Sequence, residues 1–231
     1  SRNRPERLAA ALNSLFYNAE LPEYLRFYIR LDNDDYKKYV GCLNPEIEKQ
    51  TKFLTGPRLP YLSDNFNELY YQLCESQVKE QDVIFFSSDD VICTSSGWDI
   101  TIDFTFCDFP HPYYLVYGDD LYNKDIGTHC FIKKESIDVL GYLLPPGYYD
   151  YSDTTLNYIF GRLNCKVKLD SLILRHDHWV NNKRPMDQTD KDKARNGYGN
   201  GLSSNIKYEM ELDKREEAVE RLKEAIHKYE K

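Results

Sequence analysis

No stretch of the sequence reaches the run of about 18 apolar residues that a membrane-spanning helix needs, so no spanning segment is expected. No secretory leader is visible, and a cytoplasmic location is expected. Basic charge is in deficit: 30 Lys and Arg stand against 38 Asp and Glu, a formal net charge of -8. A protein that grips many duplex phosphates normally carries a basic excess, so broad duplex binding is disfavoured. The six cysteines, at positions 42, 74, 93, 107, 130 and 165, include no CxxC pair and no Cys/His cluster at zinc-site spacing. They read as free, mostly buried thiols of a reducing compartment. No internal repeat is found. A doubly wound domain normally opens with a strand, and here the chain opens on the polar segment that would follow one. The expectation is that residues upstream of Ser1 supply that strand.

What is present is ample for a core. The chain of 231 residues is 41% hydrophobic and 14% aromatic, which fits one large domain, or one domain with an appendage, and excludes a disordered chain. Its 20 tyrosines have apolar bodies and polar tips, suited to half-buried strands and to surfaces that stack on sugars or bases. Leu8, Leu12, Leu15 and Phe16 recur at helical spacing behind Pro5. Leu25 to Leu31 (LRFYIRL) alternates as a strand and stops at Asp32-Asn33-Asp34-Asp35. Phe66 to Val78 reads as a helix. Asp82 to Ser87 (DVIFFS) is a short apolar strand of the buried parallel type, and Asp89 and Asp90 follow it. Tyr113 to Tyr117, Cys130 to Lys133 and Val167 to Leu174 are further strands, and Ser152 to Leu163 is a helix. Acids and histidines thus gather at the carboxyl ends of strands, where open α/β sheets bind ligands. Residues 181–205 are polar and rich in Gly, Asn, Asp and Lys, a loop or lid. Residues 206–231 form a helical appendage. There Val219, Leu222, Ala225, Ile226 and Tyr229 share one helix face that either docks on the body or joins a second copy.

Five segments carry candidate chemistry. Ser88-Asp89-Asp90 sets two adjacent carboxylates that repel each other, and a divalent cation lets both stay ionised. An acidic chain that holds an anionic donor needs such a cation. Asp90 is then the metal ligand and Asp89 the ribose partner; the alternative is a solvated, helix-capping turn. Asp32 and Asp34 can accept from a pyrimidine N–H or a ribose hydroxyl, or simply make an Asx turn. Arg2, Asn3 and Arg4 open a helix, a natural anion site, or else a solvated terminus. Asp153 is a candidate general base, unless it or Ser152 only caps its helix. His176 and His178 share one strand face and can ligate a metal beside Asp90, or be structural.

In this order the segments resemble the family 2-like glycosyltransferases of GT-A type, in particular their short bacterial and phage-type members. SRNRPERL resembles the opening segment of that family, LDNDD its second-strand acids, and FFSSDDV followed by Gly97-Trp98-Asp99 its DXD-equivalent region. THCFIKK and LGYLLPPGYYDYSDTTL resemble its acceptor side, and LILRHDHW its late histidine motif. The resemblance spans Ser1 to Trp179. It implies a Rossmann-like α/β domain over residues 1–180, with a mostly parallel central sheet flanked by helices and a C-terminal amphipathic helix. It further implies Mn²⁺ or Mg²⁺, a nucleoside-diphosphate sugar donor (a UDP-sugar favoured), Asp32 near the base, Asp89 near the ribose, Asp90 on the metal and Asp153 as base. Trp98, Asp119, Asp120 and His129 fall on the acceptor side. Two positions depart from the pattern: Ser88 replaces the first acid of the DXD, and Ser152 the first acid of an ED pair. No QxxRW segment occurs, so a non-processive transfer is expected, and in-line attack by a hydroxyl that Asp153 deprotonates would invert the anomeric carbon.

The expected activity is therefore transfer of a sugar to an acceptor hydroxyl on a glycan, a small molecule or a modified nucleic-acid base. Lys183, Arg184, Lys191, Lys193 and Arg195 are expected either to close over the diphosphate or to be a solvated run. Two other classes stay open: a nucleotidyltransferase, which would release pyrophosphate, and a non-catalytic nucleotide-sugar-binding module.

Overall fold

The computed structural model describes residues 1–79, 82–123, 125–148, 150–177 and 204–231. The first helix, α1 (Pro5–Tyr17), starts on proline, whose fixed φ suits a first helical position, and buries Leu8, Ala11, Leu12, Leu15 and Phe16. Two strands, β1 (Phe27–Asp32) and β2 (Thr51–Gly56), pair in parallel from Phe27↔Thr51 to Asp32↔Gly56. Two short helices join them, α2 (Tyr36–Tyr39) and α3 (Pro45–Lys49). Then α4 (Leu62–Leu69) runs into a π-helical turn, Tyr70–Cys74.

A second sheet of five strands has the order β3-β6-β5-β7-β4. Its members are β3 (Val83–Phe86), β4 (Val91–Cys93), β5 (Leu115–Asp119), β6 (Cys130–Lys133) and β7 (Lys166–His176). Between them lie α5 (Trp98–Cys107), α6 (Lys134–Leu140) and α7 (Ser152–Arg162). The chain ends in α8 (Ser204–Met210) and α9 (Leu212–Tyr229).

The mixed α/β class expected from the sequence is found, but the larger sheet is not mostly parallel. Only β5 and β7 pair in parallel there; β3/β6, β5/β6 and β4/β7 are antiparallel. Connection length explains the β5/β6 case. Residues 120–129 are fewer than the dozen or so that a parallel crossover needs. Short apolar runs fix burial but not direction.

The strand β7 lies between β5 and β4. Lys166 to Leu169 and then Ile173 pair with β5, and Leu174 to His176 pair with β4 on the other edge. The register slips between Gly118 and Asp119, and a Cβ on Gly118 would lie 2.5 Å from the Leu172 carbonyl oxygen. Only glycine tolerates that approach.

One face of this sheet packs on α6, α7 and α9, with Ala218, Val219 and Leu222 in the same apolar cluster as Phe86, Leu115 and Ile159. The other packs on α5 and Leu15 of α1. The apolar face of the C-terminal helix is therefore used against the body of the protein. Among the described residues no helix is long and apolar enough to cross a membrane.

Leu222 is fully buried. Leu222→Ala is expected to cost about 2–5 kcal/mol in urea unfolding, the range for large-to-small core changes. An unchanged midpoint would show that α9 is not part of this core.

Candidate functional site

The N-terminal segment lies across the carboxyl ends of β1 and β3. The α-amine of Ser1 donates to the Arg30 carbonyl (2.9 Å), and the Ser1 hydroxyl donates to Asp89. Arg2 Nε donates to Asp32 Oδ2 (2.5 Å), Arg30 Nη1 reaches Asp32 Oδ1 (2.6 Å), and Arg58 Nε lies 3.2 Å from Asp32 Oδ2. Burial alone would push the Asp32 carboxyl up. The hydrogen bond and charge of Arg2, with the charges of Arg30 and Arg58, hold it below the usual carboxylate range. Asn3 sits at φ 54°, and its N–H donates to Asp35, which also pairs with Lys38 at 2.8 Å. Arg4 and Asp89, both buried, pair at 3.3 Å.

Carboxylate oxygens of Asp32, Asp34 and Asp35 lie within 4.8 Å of one another, close enough to share an ion. Four cations already sit on this group: Arg2, Arg30 and Arg58 on Asp32, Arg58 also near Asp34, and Lys38 on Asp35. A divalent ion would have to displace or face them, so this cluster is built for guanidinium groups.

A second arrangement forms where β7 meets the residues after β3. His176 Nε2 lies 3.4 Å from Asp90 Oδ1, and the Ser88 hydroxyl donates to the same oxygen. The backbone locks this register: Asp177 N–H donates to the Asp90 carbonyl (2.7 Å), and His176 N–H donates to the Asp120 carbonyl (3.1 Å). The His129 ring meets the His176 ring edge-on, centroids 4.8 Å apart. Burial favours the neutral form of Asp90. The His176 hydrogen bond and charge, the Ser88 hydroxyl and the charge of His129 outweigh it and hold the carboxyl well below the usual range.

Asp153 opens α7. It keeps some exposure at the rim, but protein surrounds its carboxyl, and that desolvation pushes it up to about 6; Thr154 N–H, which donates at 2.8 Å, limits the rise, and Asp150 adds to it. The charge of His176 is felt at Asp153. Among the described residues no Lys or Arg pairs with it. Asn157, one turn on, donates to the Asp153 and Gly127 carbonyls and accepts the Gly127 N–H, so it ties α7 to the loop that leads to His129.

Of the residues singled out in the sequence, Arg2, Asn3, Arg4, Asp32 and Asp89 meet at the N-terminal segment, and Asp90, His129 and His176 meet beside it. Asp34 is exposed next to Arg58. Asp120 is buried, and its carboxylate accepts the N–H groups of Tyr122 and Asn123 and the Thr128 hydroxyl, so it folds its own loop. Asp119 caps Leu121 N–H and lies 3.5 Å from Lys168.

Trp98 requires a correction. It is not on an open acceptor face: its ring is buried in the core under β3 and β6, and its N–H donates to the Leu15 carbonyl (2.8 Å), so it anchors α1 to α5. His178, and the cationic run Lys183, Arg184, Lys191, Lys193 and Arg195, lie outside the described residues. Sequence reasoning missed Arg30, Arg58 and Asn157. Arg30 did carry a signal, since a charge inside the strand LRFYIRL demands a partner. No protein-family model matches the chain, and no curated protein is significantly similar to it.

An acid whose folded-state titration lies above its unfolded value destabilises the fold at high pH, and the penalty fades as pH falls through about 6 towards 4. Asp153→Asn should therefore stabilise the protein at pH 8 by roughly 2 kcal/mol, after allowance for the solvent that reaches the group. The gain should shrink by pH 4.5. Urea unfolding at both values checks this, and an equal effect at the two would contradict it.

Proposed function

We propose that this chain is a metal-dependent glycosyltransferase of GT-A type that moves a sugar from a nucleoside-diphosphate donor, a UDP-sugar first, to an acceptor hydroxyl with inversion. One observation carries it: Asn157 ties the start of α7, where the weakly acidic Asp153 stands, to the loop before His129, whose ring meets the His176 of the Asp90–His176 pair. An electrophile-holding centre beside a base that is mostly ionised at neutral pH, yet more basic than an ordinary carboxylate, is what transfer to a hydroxyl requires.

The residues fit a divalent cation. Ligand atoms at right angles and about 2.1 Å from an ion stand about 3 Å apart, and Asp90 Oδ1 and His176 Nε2 are 3.4 Å apart. Two protein ligands leave positions for diphosphate oxygens and water, the usual arrangement for Mg²⁺ or Mn²⁺; the imidazole nitrogen favours Mn²⁺. When bound, the ion offsets the charge that builds on the leaving diphosphate.

The chain's own residues supply the rest. Arg2 and Arg58, fixed by Asp32, present N–H groups to carbonyl or phosphate oxygens of the nucleotide. Arg4 orients Asp89 towards the ribose. Asp153 takes the acceptor proton. The acceptor oxygen bonds to the anomeric carbon as the bond from that carbon to the phosphate oxygen breaks, and the electron pair leaves with the nucleoside diphosphate.

Calorimetric titration of nucleoside diphosphates with and without Mn²⁺ tests this. One diphosphate should bind in a metal-dependent way, and Asp90→Ala should weaken it at least about tenfold, or 1.4 kcal/mol. Turnover should rise with pH through about 6 and lose that dependence in Asp153→Asn. Binding to none of the set by the folded protein would sink the proposal, and release of pyrophosphate would turn it to nucleotidyl transfer.

A further inference from the structure

The turn that leads into α7 is strained and is held from two sides. Tyr151 adopts φ 69°, a conformation that a bulky residue rarely takes, only two positions before Asp153. Such strain persists only where the surroundings over-determine it. On one side α4 supplies part of that support. Ser63 exchanges hydrogen bonds with the Tyr148 backbone, and Asp64 accepts the Gly147 N–H at 2.8 Å.

The corner between α8 and α9 supplies the rest. Lys207 Nζ donates to the carbonyls of Pro146 (3.1 Å) and Gly147 (3.0 Å), and its ammonium lies 4.5 Å from the centre of the Tyr148 ring. Gly147 is at φ +75°, and any Cβ there would meet Lys207 Nζ at 2.6 Å. The buried Tyr148 hydroxyl donates to Glu211 at 2.7 Å. The Thr155 hydroxyl, in the first turn of α7, donates to the Tyr151 carbonyl at 3.0 Å. Tyr208 packs its ring 5.8 Å from that of Tyr151, and the buried Arg215 guanidinium stacks on Tyr208 at 3.8 Å. The C-terminal helices thus grip the segment that sets where Asp153 stands.

We propose that Lys207 and Glu211 are positioning residues of the transfer reaction, holding Pro146, Gly147 and Tyr148 ahead of α7 so that Asp153 is fixed and kept dry. The inference rests on Asp153 being the base. Neither residue touches substrate; both act through the turn.

The test uses the full chain with labelled carboxyl carbons. Asp153 is titrated by NMR in the wild type, Lys207→Met, Glu211→Gln and the conservative Lys207→Arg. Lys207→Met should lower the Asp153 midpoint by about one unit as water reaches a loosened turn, and Lys207→Arg should restore most of it. With a competent donor, Lys207→Met should lower kcat roughly tenfold or more with donor KM unchanged, since small misplacements of a reacting group are costly. Added to Asp153→Asn, it should cost no further rate.

A folded Lys207→Met protein whose Asp153 titrates as in the wild type would overturn the proposal. So would a further full loss of rate in the Asp153→Asn background. If Lys207→Met does not fold, Tyr148→Phe, which deletes one hydrogen bond, carries the same comparison. The NMR titration needs no turnover. Wild type that transfers no sugar would overturn the assigned reaction, while the titration still decides whether these helices fix Asp153.

Discussion

Taking a carboxylate out of water costs several kcal/mol unless a cation, a bound ion or a proton neutralises it. The acids at the carboxyl end of these sheets differ chiefly in which of the three they have. Asp32, Asp35 and Asp89 are matched by built-in cations, namely Arg2, Arg30 and Arg58, Lys38, and Arg4. Asp90 has an imidazole and a hydroxyl. Asp153 has neither a Lys nor an Arg among the described residues, and its proton affinity rises accordingly. The protein thus sets out fixed ion pairs, an imidazole–carboxylate pair and an acid of raised proton affinity.

The fixed pairs also make the fold coherent at this end. Ser1, Arg2 and Arg4 reach partners on β1 or just after β3, strands of different sheets: Ser1 the Arg30 carbonyl and Asp89, Arg2 Asp32, and Arg4 Asp89. Removing one member of such a pair leaves the other buried and unmatched, a larger loss than the pair's net contribution. The same geometry changes what Asp32 can do. With three guanidinium groups on its oxygens it has little capacity left for a ligand's N–H.

Much of this was legible in the sequence where a residue's role is local. The apolar run before Ser87 placed β3 and the acids after it, and the helical period from Ser152 placed α7 and Asp153 at its start. Val219 and Leu222 announced a buried helix face, though not what it packs on. Elsewhere local pattern was silent. The segment Thr51–Gly56 alternates too weakly to declare a strand, and only its pairing with β1 makes it one. Trp98 matched a motif by order in the chain, but its position one residue after Gly97, at the start of α5, turns the indole inward to Leu15. Arg58 and Lys207 are ordinary surface residue types in sequence, and only tertiary contacts reveal what they hold.

The meeting of Asp90 with His176 shows why strand direction matters more than strand content. The strand β7 lies between β5 and β4 and pairs with both. After the slip at Gly118, Asp119 pairs with Ile173, and on the other edge Leu174 to His176 run antiparallel to β4, with His176 opposite Val91. That pairing sets the imidazole one residue along from the register of Asp90, within 3.4 Å of its carboxylate. A side chain on Gly118 would collide with the Leu172 backbone and force the strands apart. The Asp90–His176 contact therefore depends on a residue that contributes no side chain to it, and on a bulge that no periodicity in the sequence announces.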